Sequence, residues 1–338
     1  MLQEVHLNKE EIIKLFGEYC IMKCKSFSQN AITDKYKANI FLQCRYDFTS
    51  FREIRIFIKK AKALGFISAT LFAPTLTMLE YFLNHKGYFN PAMDSAKFVD
   101  YFFSLTKRLA NSTINQYIMC ANLFMRFLND KGYKSINLKS IKMNFAKQKK
   151  LPSFLNDFYY KAFLQETREL KEQSLYDMKK KLIILLVYYT GIRTREVSNL
   201  KLDDIKEDEE RYIFKISGKC SQERLVSIKK VFIGDLMQKF LNKRKAMSCQ
   251  SPFLFQLKNL NQPPNVCVNL KPILKKLNCM QPRGNMLHLL RHSFASFVYR
   301  ESRDILLTQK ALGHANISNT QIYIHMNSDV YEKVSSFF

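Results

Sequence analysis

Apolar residues recur at helical spacing over most of the first half of the chain. Phe98, Phe102, Leu105 and Leu109 fall on one helical face, and after a polar break at Asn111 and Ser112 the period resumes with Ile114, Tyr117, Ile118, Ala121, Met125 and Leu128. Ser112 is the expected N-cap of that second helix and Gly132 its stop. Weaker periodicity predicts helices over 9–24, 33–64 and 75–85.

Further along, the pattern becomes mixed. KLIILLVYY at 181–189 is apolar on every side, which describes a buried helix, and Gly191 suits its C-terminal cap. RYIFKIS (211–217) and RLVSI (224–228) read as two strands joined by the turn Gly218-Lys219-Cys220-Ser221-Gln222-Glu223. Helices are expected over 283–300, 303–312 and 317–335. Between the two patterns lies IKMNFAKQKKLPS (141–153), polar and basic, ending in Leu151-Pro152. Proline biases its predecessor towards an extended backbone, so this stretch reads as an interdomain linker. The expected organisation is a helical N-terminal domain over 1–140, a linker over 141–153 and a second domain over 154–338.

Charge changes the picture most. Lys and Arg number 54 against 29 Asp and Glu, a net charge of +25 in 338 residues. The excess is shared: 24 basic against 11 acidic residues over 1–150, and 30 against 18 over 151–338. Folding does not need such an imbalance, which raises self-repulsion, so a polyanionic partner is implied. Two basic lobes suit a clamp around a duplex better than a single basic tail would.

Several classes drop out. No apolar run reaches the roughly 18 residues of a membrane span, and the N-terminus carries early Glu residues without a signal-peptide core, so export is not expected. Among eight Cys only Cys20 and Cys24 lie close, as CxxxC, which fits reduced thiols in a cytoplasm. With nine Gly and neither GxxxxGK[ST] nor GxGxxG, nucleotide use has no support.

Four of the six His (His288, His292, His314 and His325) fall late in the chain, in HLLRH (288–292) and LGHANISNTQIYIH (312–325). His288 and His292 have metal-ligand spacing. The Glu of a zinc-protease HExxH is Leu289 here, however, and Arg291 puts a cation between the imidazoles, so no metal is expected. A phosphodiester transfer without metal needs cations for the non-bridging oxygens, an in-line nucleophile and an acid for the departing alkoxide. Arg193, Lys219, His288, Arg291, His314 and Tyr323 can fill those roles. Tyrosine suits a reversible step because its phenoxide, with a pKa of about 10, leaves readily. Each residue taken singly has a plain structural reading, and only their order and spacing together point to chemistry.

That ordered set resembles the tyrosine recombinase (phage integrase-like) family. The residues that carry the resemblance are Arg193 in TGIRTREV, Lys219 in SGKCSQER, His288 and Arg291 in HLLRHSFAS, His314 in LGH and Tyr323 nine residues on. It covers about 151–326 closely, extends weakly over 98–133, includes KKLPSFL (149–155) as the linker, and leaves the first 85 or so residues poorly matched. Cys220 stands where the family turn often has Gly.

The resemblance implies an all-α, SAM-like core-binding domain followed by a mainly α, mixed α/β catalytic domain with a small antiparallel sheet. It implies that Arg193 and Arg291 clamp the scissile phosphate, with Glu196 orienting Arg193. Lys219 would protonate the 5′-oxygen, His288 would assist proton transfer, His314 would bond a non-bridging oxygen, and Tyr323 would form a 3′-phosphotyrosine. No cofactor is implied. The partners implied are double-stranded DNA with inverted half-sites and further copies of the chain, two on one site and four in synapsis, with a division-linked DNA translocase as a further candidate. Lys147, Lys149 and Lys150 are candidate DNA contacts, and a C-terminal exchange helix is expected over about 329–338. Within the family the chain looks most like a bacterial Xer recombinase of the single-recombinase type acting at a dif-like site. A mobile-element integrase, a type IB topoisomerase and a non-catalytic DNA-binding protein are the alternatives.

Overall fold

A computed structural model describes residues 6–26, 32, 35–66, 70–93, 95–138, 153–218, 223–260, 263–279, 286–314 and 316–321. The chain divides into two compact units, Met1–Lys149 and Lys150–Phe338. The expected linker over 141–153 lies outside the described residues except for Ser153, and Lys147, Lys149 and Lys150 lie outside them with it.

The described part of the first unit is helical: α1 (Lys9–Lys25), α2 (Lys35–Gln43), α3 (Phe51–Ala63), α4 (Phe72–Lys86), α5 (Ser95–Ser104) and α6 (Asn111–Asp130). An aromatic core of Phe16, Tyr19, Phe82, Phe98, Phe102 and Phe124 joins them. The helix expected over 33–64 is two helices. Ser50 caps α3, Glu53 reaches back to the Thr49 amide at 2.8 Å, and the Tyr46 and Phe48 rings stack on each other and meet Phe57 edge-to-face. Capping and aromatic burial together outweigh continued helix across 44–50. The expected cap at Ser112 is also corrected. Ala110 holds the extended backbone, so α6 begins two residues earlier than that cap allowed and Ser112 sits inside its first turn. Gly132 does follow the C-terminus, with φ +91 and the Tyr133 amide donating back to Leu128 O at 3.0 Å, a Schellman closure.

The second unit contains α7 (Asp157–Arg168), α8 (Leu175–Thr190), α9 (Thr194–Asn199), β1 (Ile205–Glu207), β2 (Arg211–Ser217), β3 (Glu223–Lys229), α10 (Lys230–Ala246), α11 (Lys271–Lys276), α12 (Leu287–Ser302), α13 (Ile305–Leu312) and α14 (Ser318–Gln321). The buried helix α8 is its spine, with Leu182, Ile184, Leu186 and Val187 fully enclosed. The antiparallel sheet runs β1-β2-β3, and Phe214 faces both Ile205 and Val226. Three-residue β1 is too short to show an alternation, which is why the sequence predicted two strands. An Asx turn at Asp208 reverses the chain into β2, its Oδ1 accepting from the Arg211 amide at 2.6 Å. The helices expected over 283–300 and 303–312 begin at Leu287 and Ile305. The second is capped by Asp304 beside Arg303, whose backbone is left-handed. The expected tail helix is described only through Gln321, and the exchange segment 329–338 lies outside the described residues.

Among the described residues no helix is long and apolar enough to cross a membrane. None of the seven described cysteines forms a disulfide, and Cys20 and Cys24 are buried.

Two left-handed glycines separate conformational cost from packing cost. Gly87 (φ +74) has nothing within 4 Å of where a Cβ would stand, whereas at Gly191 (φ +60) a Cβ would lie 2.3 Å from the Phe294 ring. Gly87→Ala should cost about 1–2 kcal/mol, the backbone penalty alone. Gly191→Ala should cost roughly 2–5 kcal/mol, because overpacking adds to it. Denaturant unfolding of both variants checks this, and equal losses would mean that Phe294 gives way freely.

Candidate active site

Helix α8 is capped by Gly191, whose positive φ turns the chain out of the helix. Two residues on, Arg193 is the N-terminal cap residue of α9. Glu196, in the first turn of α9, accepts from the Arg193 amide (2.8 Å) and from Arg193 Nη1 (2.8 Å), so one carboxylate fixes both the backbone and the side chain of the arginine. Arg193 Nη2 donates to Gly313 O at 3.3 Å.

Arg291 comes from α12 and is buried. Its Nη1 donates to Gly191 O, and its Nη2 donates to Leu312 O at 2.9 Å and meets His314 Nε2 at 2.9 Å. Both carbonyls lie at helix C-termini, those of α8 and α13, where unpaired carbonyls and the macrodipole favour a cation. Gly313, with φ +62, ends α13 and places His314.

The tautomer of His314 follows from its neighbours. Arginine only donates, so Nε2 accepts from Arg291 and Nδ1 carries the proton, which it donates to Thr320 Oγ1 at 2.9 Å. Gln309 Nε2 holds the His314 carbonyl at 2.9 Å. Burial first, then the charges of Arg291 and Arg193, push the His314 pKa down to about 4. His292 is also held down to about 4, by burial, then His288 and Arg291. His288, one helical turn before His292, is exposed yet partly covered, and that partial burial, then Arg291 and Arg193, lower its pKa, so it shares their electrostatic surroundings. All three imidazoles are therefore neutral at pH 7.

The structure thus brings Arg193, Glu196, Arg291 and His314 together, with His288 on their flank. Lys219 and Tyr323 lie outside the described residues. The strands on either side of the Lys219 turn are closed, with Ser217 opposite Glu223 and Ile216 opposite Arg224. Among the described residues no three His, Cys, Asp or Glu side chains gather as a metal site would require.

The phage integrase family matches residues 153–329, just over half of the chain. The chain belongs to that family. Its relatives include tyrosine recombinase XerH of Campylobacter jejuni, 29% identical over 96% of this chain and 95% of the relative, and XerH of Helicobacter pylori, 26% identical over 100% and 98%. A crystal structure of a XerH site-specific recombinase bound to its difH substrate, a pre-cleavage complex, superposes with a TM-score of 0.80 at 25% identity, covering 100% of this chain and 99% of that one. The first 85 or so residues, poorly matched on motifs alone, are thus covered along with the rest. This phage integrase family member is a tyrosine recombinase by sequence and by fold.

Sequence reasoning missed Arg224, Thr320 and the backbone carbonyls of Gly191 and Leu312. For Arg224 a signal was present: on β3 it shares a face with Val226 and Ile228, the inward face of the strand. The carbonyls carry no sequence signal beyond the glycines beside them.

The depressed histidines set a pH dependence. A histidine whose folded pKa lies below its unfolded value of about 6.5 stabilises fully above that value. Its contribution is lost as pH falls towards 4, because the unfolded chain takes up protons that the folded unit refuses. His292 should forfeit about 3 kcal/mol over that window, and half-buried His314 about 2 kcal/mol because solvent screens part of its shift. Denaturation midpoints measured at falling pH should decline, and His292→Gln should flatten the decline. A midpoint that rises on acidification would show that these imidazoles are charged when folded.

Proposed function

We propose that this chain breaks and rejoins double-stranded DNA at a specific site through a 3′-phosphotyrosine intermediate, as an Xer-type recombinase at a dif-like sequence. The observation that carries the reading is the meeting of two guanidiniums from separate helices at one tripeptide. Arg193 donates to Gly313 O, and Arg291 donates to Leu312 O and bonds His314 Nε2. Two cations held at fixed positions suit the non-bridging oxygens of one phosphate.

On this reading Tyr323 attacks the phosphorus in line while its proton passes towards neutral His288. The 5′-oxygen leaves with a proton from Lys219, and the phosphate stays as an ester of Tyr323 with the 3′ end. Attack by a 5′-hydroxyl of another strand reverses the step, so the bond energy is retained and no nucleotide is consumed. The arriving phosphate competes with His314 for Arg291 Nη2, and its negative charge raises the His314 pKa from about 4. The protonated Nε2 then donates to the phosphate that displaced it.

Coverage of the whole chain by XerH relatives, the N-terminal 85 residues included, favours the Xer role over a mobile-element integrase or a type IB topoisomerase. Two copies occupy inverted half-sites and two such sites form a tetrameric synapse in the cytoplasm, with a division-linked DNA translocase as the candidate activator.

Tyr323→Phe should abolish covalent adducts on a nicked half-site while leaving affinity almost unchanged, since one hydroxyl is lost. Denaturing gels read the adduct, and Tyr331→Phe serves as the comparison. Adducts that persist with Tyr323→Phe and vanish with Tyr331→Phe would move the nucleophile. DNA affinity should fall steeply with salt, with a log–log slope of roughly −6 to −10 per protomer. Charge reversal at Lys147, Lys149 and Lys150 should flatten it, and an unchanged slope would make that segment a spacer.

A further inference from the structure

Arg224 lies on β3 with its side chain turned inward, 16% exposed. Its Nη1 and Nη2 take the two oxygens of Glu196 at 3.0 and 2.8 Å. The same carboxylate already accepts from the Arg193 amide and from Arg193 Nη1. A carboxylate offers about four lone-pair sites, so Glu196 is saturated, with two donors from each arginine. Its side chain is 4% exposed, so no solvent relieves the balance of charge.

The arithmetic of that balance matters. One buried carboxylate facing Arg193 alone would neutralise it and leave two acceptor sites open. Those sites would pull the Arg193 guanidinium into a two-armed fork on Glu196. With Arg224 present, the three groups sum to one net positive charge, and Arg193 gives Glu196 only one arm. The Arg224 stem also packs on the LGH tripeptide: a Cβ on Gly313 would lie 2.9 Å from Arg224 Cδ.

We propose that Arg224 is a positioning residue that takes up half of the Glu196 carboxylate and thereby leaves the Arg193 charge uncancelled and its second arm, held among the described residues only by the long bond to Gly313 O, able to turn to the scissile phosphate. The proposal rests on the reading that Arg193 grips that phosphate. Arg224 itself touches no substrate. A purely structural ion pair would have a different signature, because its loss would be a loss of folding and would not be repaired by removing the carboxylate as well.

Single-turnover cleavage of a nicked half-site by the full chain tests this, with half-site affinity and thermal unfolding measured alongside. Arg224→Met should slow cleavage about 100-fold while half-site affinity changes less than about threefold. Glu196→Gln combined with Arg224→Met leaves no carboxylate to neutralise Arg193 and should return the rate to within about tenfold of the unaltered protein. Arg224→Lys, which keeps the charge, should also stay within about tenfold. A folded double variant as slow as Arg224→Met overturns the proposal, as does an Arg224→Lys variant that is folded and equally slow. If Arg224→Met does not fold, the double variant is compared with Glu196→Gln alone. Similar rates support the proposal, and a further loss of about 100-fold overturns it. Arg193→Met examines the underlying reading separately. If it cleaves normally, Arg193 does not grip the phosphate. If it is inactive while Arg224→Met is normal, only the role of Arg224 falls.

Discussion

A buried guanidinium is expensive unless every direction it faces is answered, and the catalytic unit is built around answering Arg291. The side chain is 4% exposed, and its described hydrogen bonds reach carbonyls and an imidazole, with no carboxylate among them. A carboxylate would satisfy it more strongly but would also cancel the charge that a phosphate needs. The described partners, carbonyls at two helix C-termini and a neutral imidazole, bring partial charges that steady the cation without cancelling its field. That choice dictates the local chain path. Gly191 and Gly313 are both left-handed because α8 and α13 must stop abruptly where their carbonyls meet Arg291. Gly191 has no side chain because Phe294, one turn after Arg291 on α12, presses against it.

Arg193 is handled by the opposite device. It is 34% exposed at a helix N-terminus and is tethered by a carboxylate. Exposure lets it meet a ligand, and the tether limits its swing. The carboxylate itself stays ionised, its pKa drawn down to about 2 against its own burial by bonds from Arg224 and Arg193. The two arginines thus differ in kind: one is rigid and enclosed, the other restrained and open. The small sheet contributes through Arg224 on β3, which connects the strand after the Lys219 turn to the base of Arg193.

The legible part of this arrangement was the part written in residue types at fixed spacing. TGIRTREV placed Arg193 and Glu196 one helical turn apart, and HLLRH placed His288 and Arg291 on one helix, as the structure has them. Helix α8 was legible because nothing polar interrupts 182–188, and α6 because its apolar period is long. The break between α2 and α3 was not, because it is decided by Tyr46 and Phe48 packing on Phe57, a tertiary contact that overrides local helical preference. The partners of Arg291 were not legible either, because they are backbone oxygens and every residue has one. The tautomer of His314 depends on Thr320 and Arg291 together and exists only in the folded unit.

Charge counting links the described site to the chemistry proposed for it. Arg193, Arg224 and Arg291 against Glu196 leave two positive charges, and the three histidines add none while their pKa values stay depressed. A phosphodiester carries one negative charge, whereas the pentacoordinate state reached by a tyrosine oxygen carries close to two on its oxygens. The two fixed cations therefore match the transition state better than the substrate, which is the condition for a binding interaction to accelerate a step. Before DNA arrives, burial first and this surplus second push the neighbouring imidazoles to their neutral forms. Neutral imidazoles can accept protons, so burial and the two arginines together keep His288 in the state that the proton acceptor proposed above requires. A second carboxylate would cut that surplus to one positive charge, enough for the substrate phosphodiester but too little for the transition state.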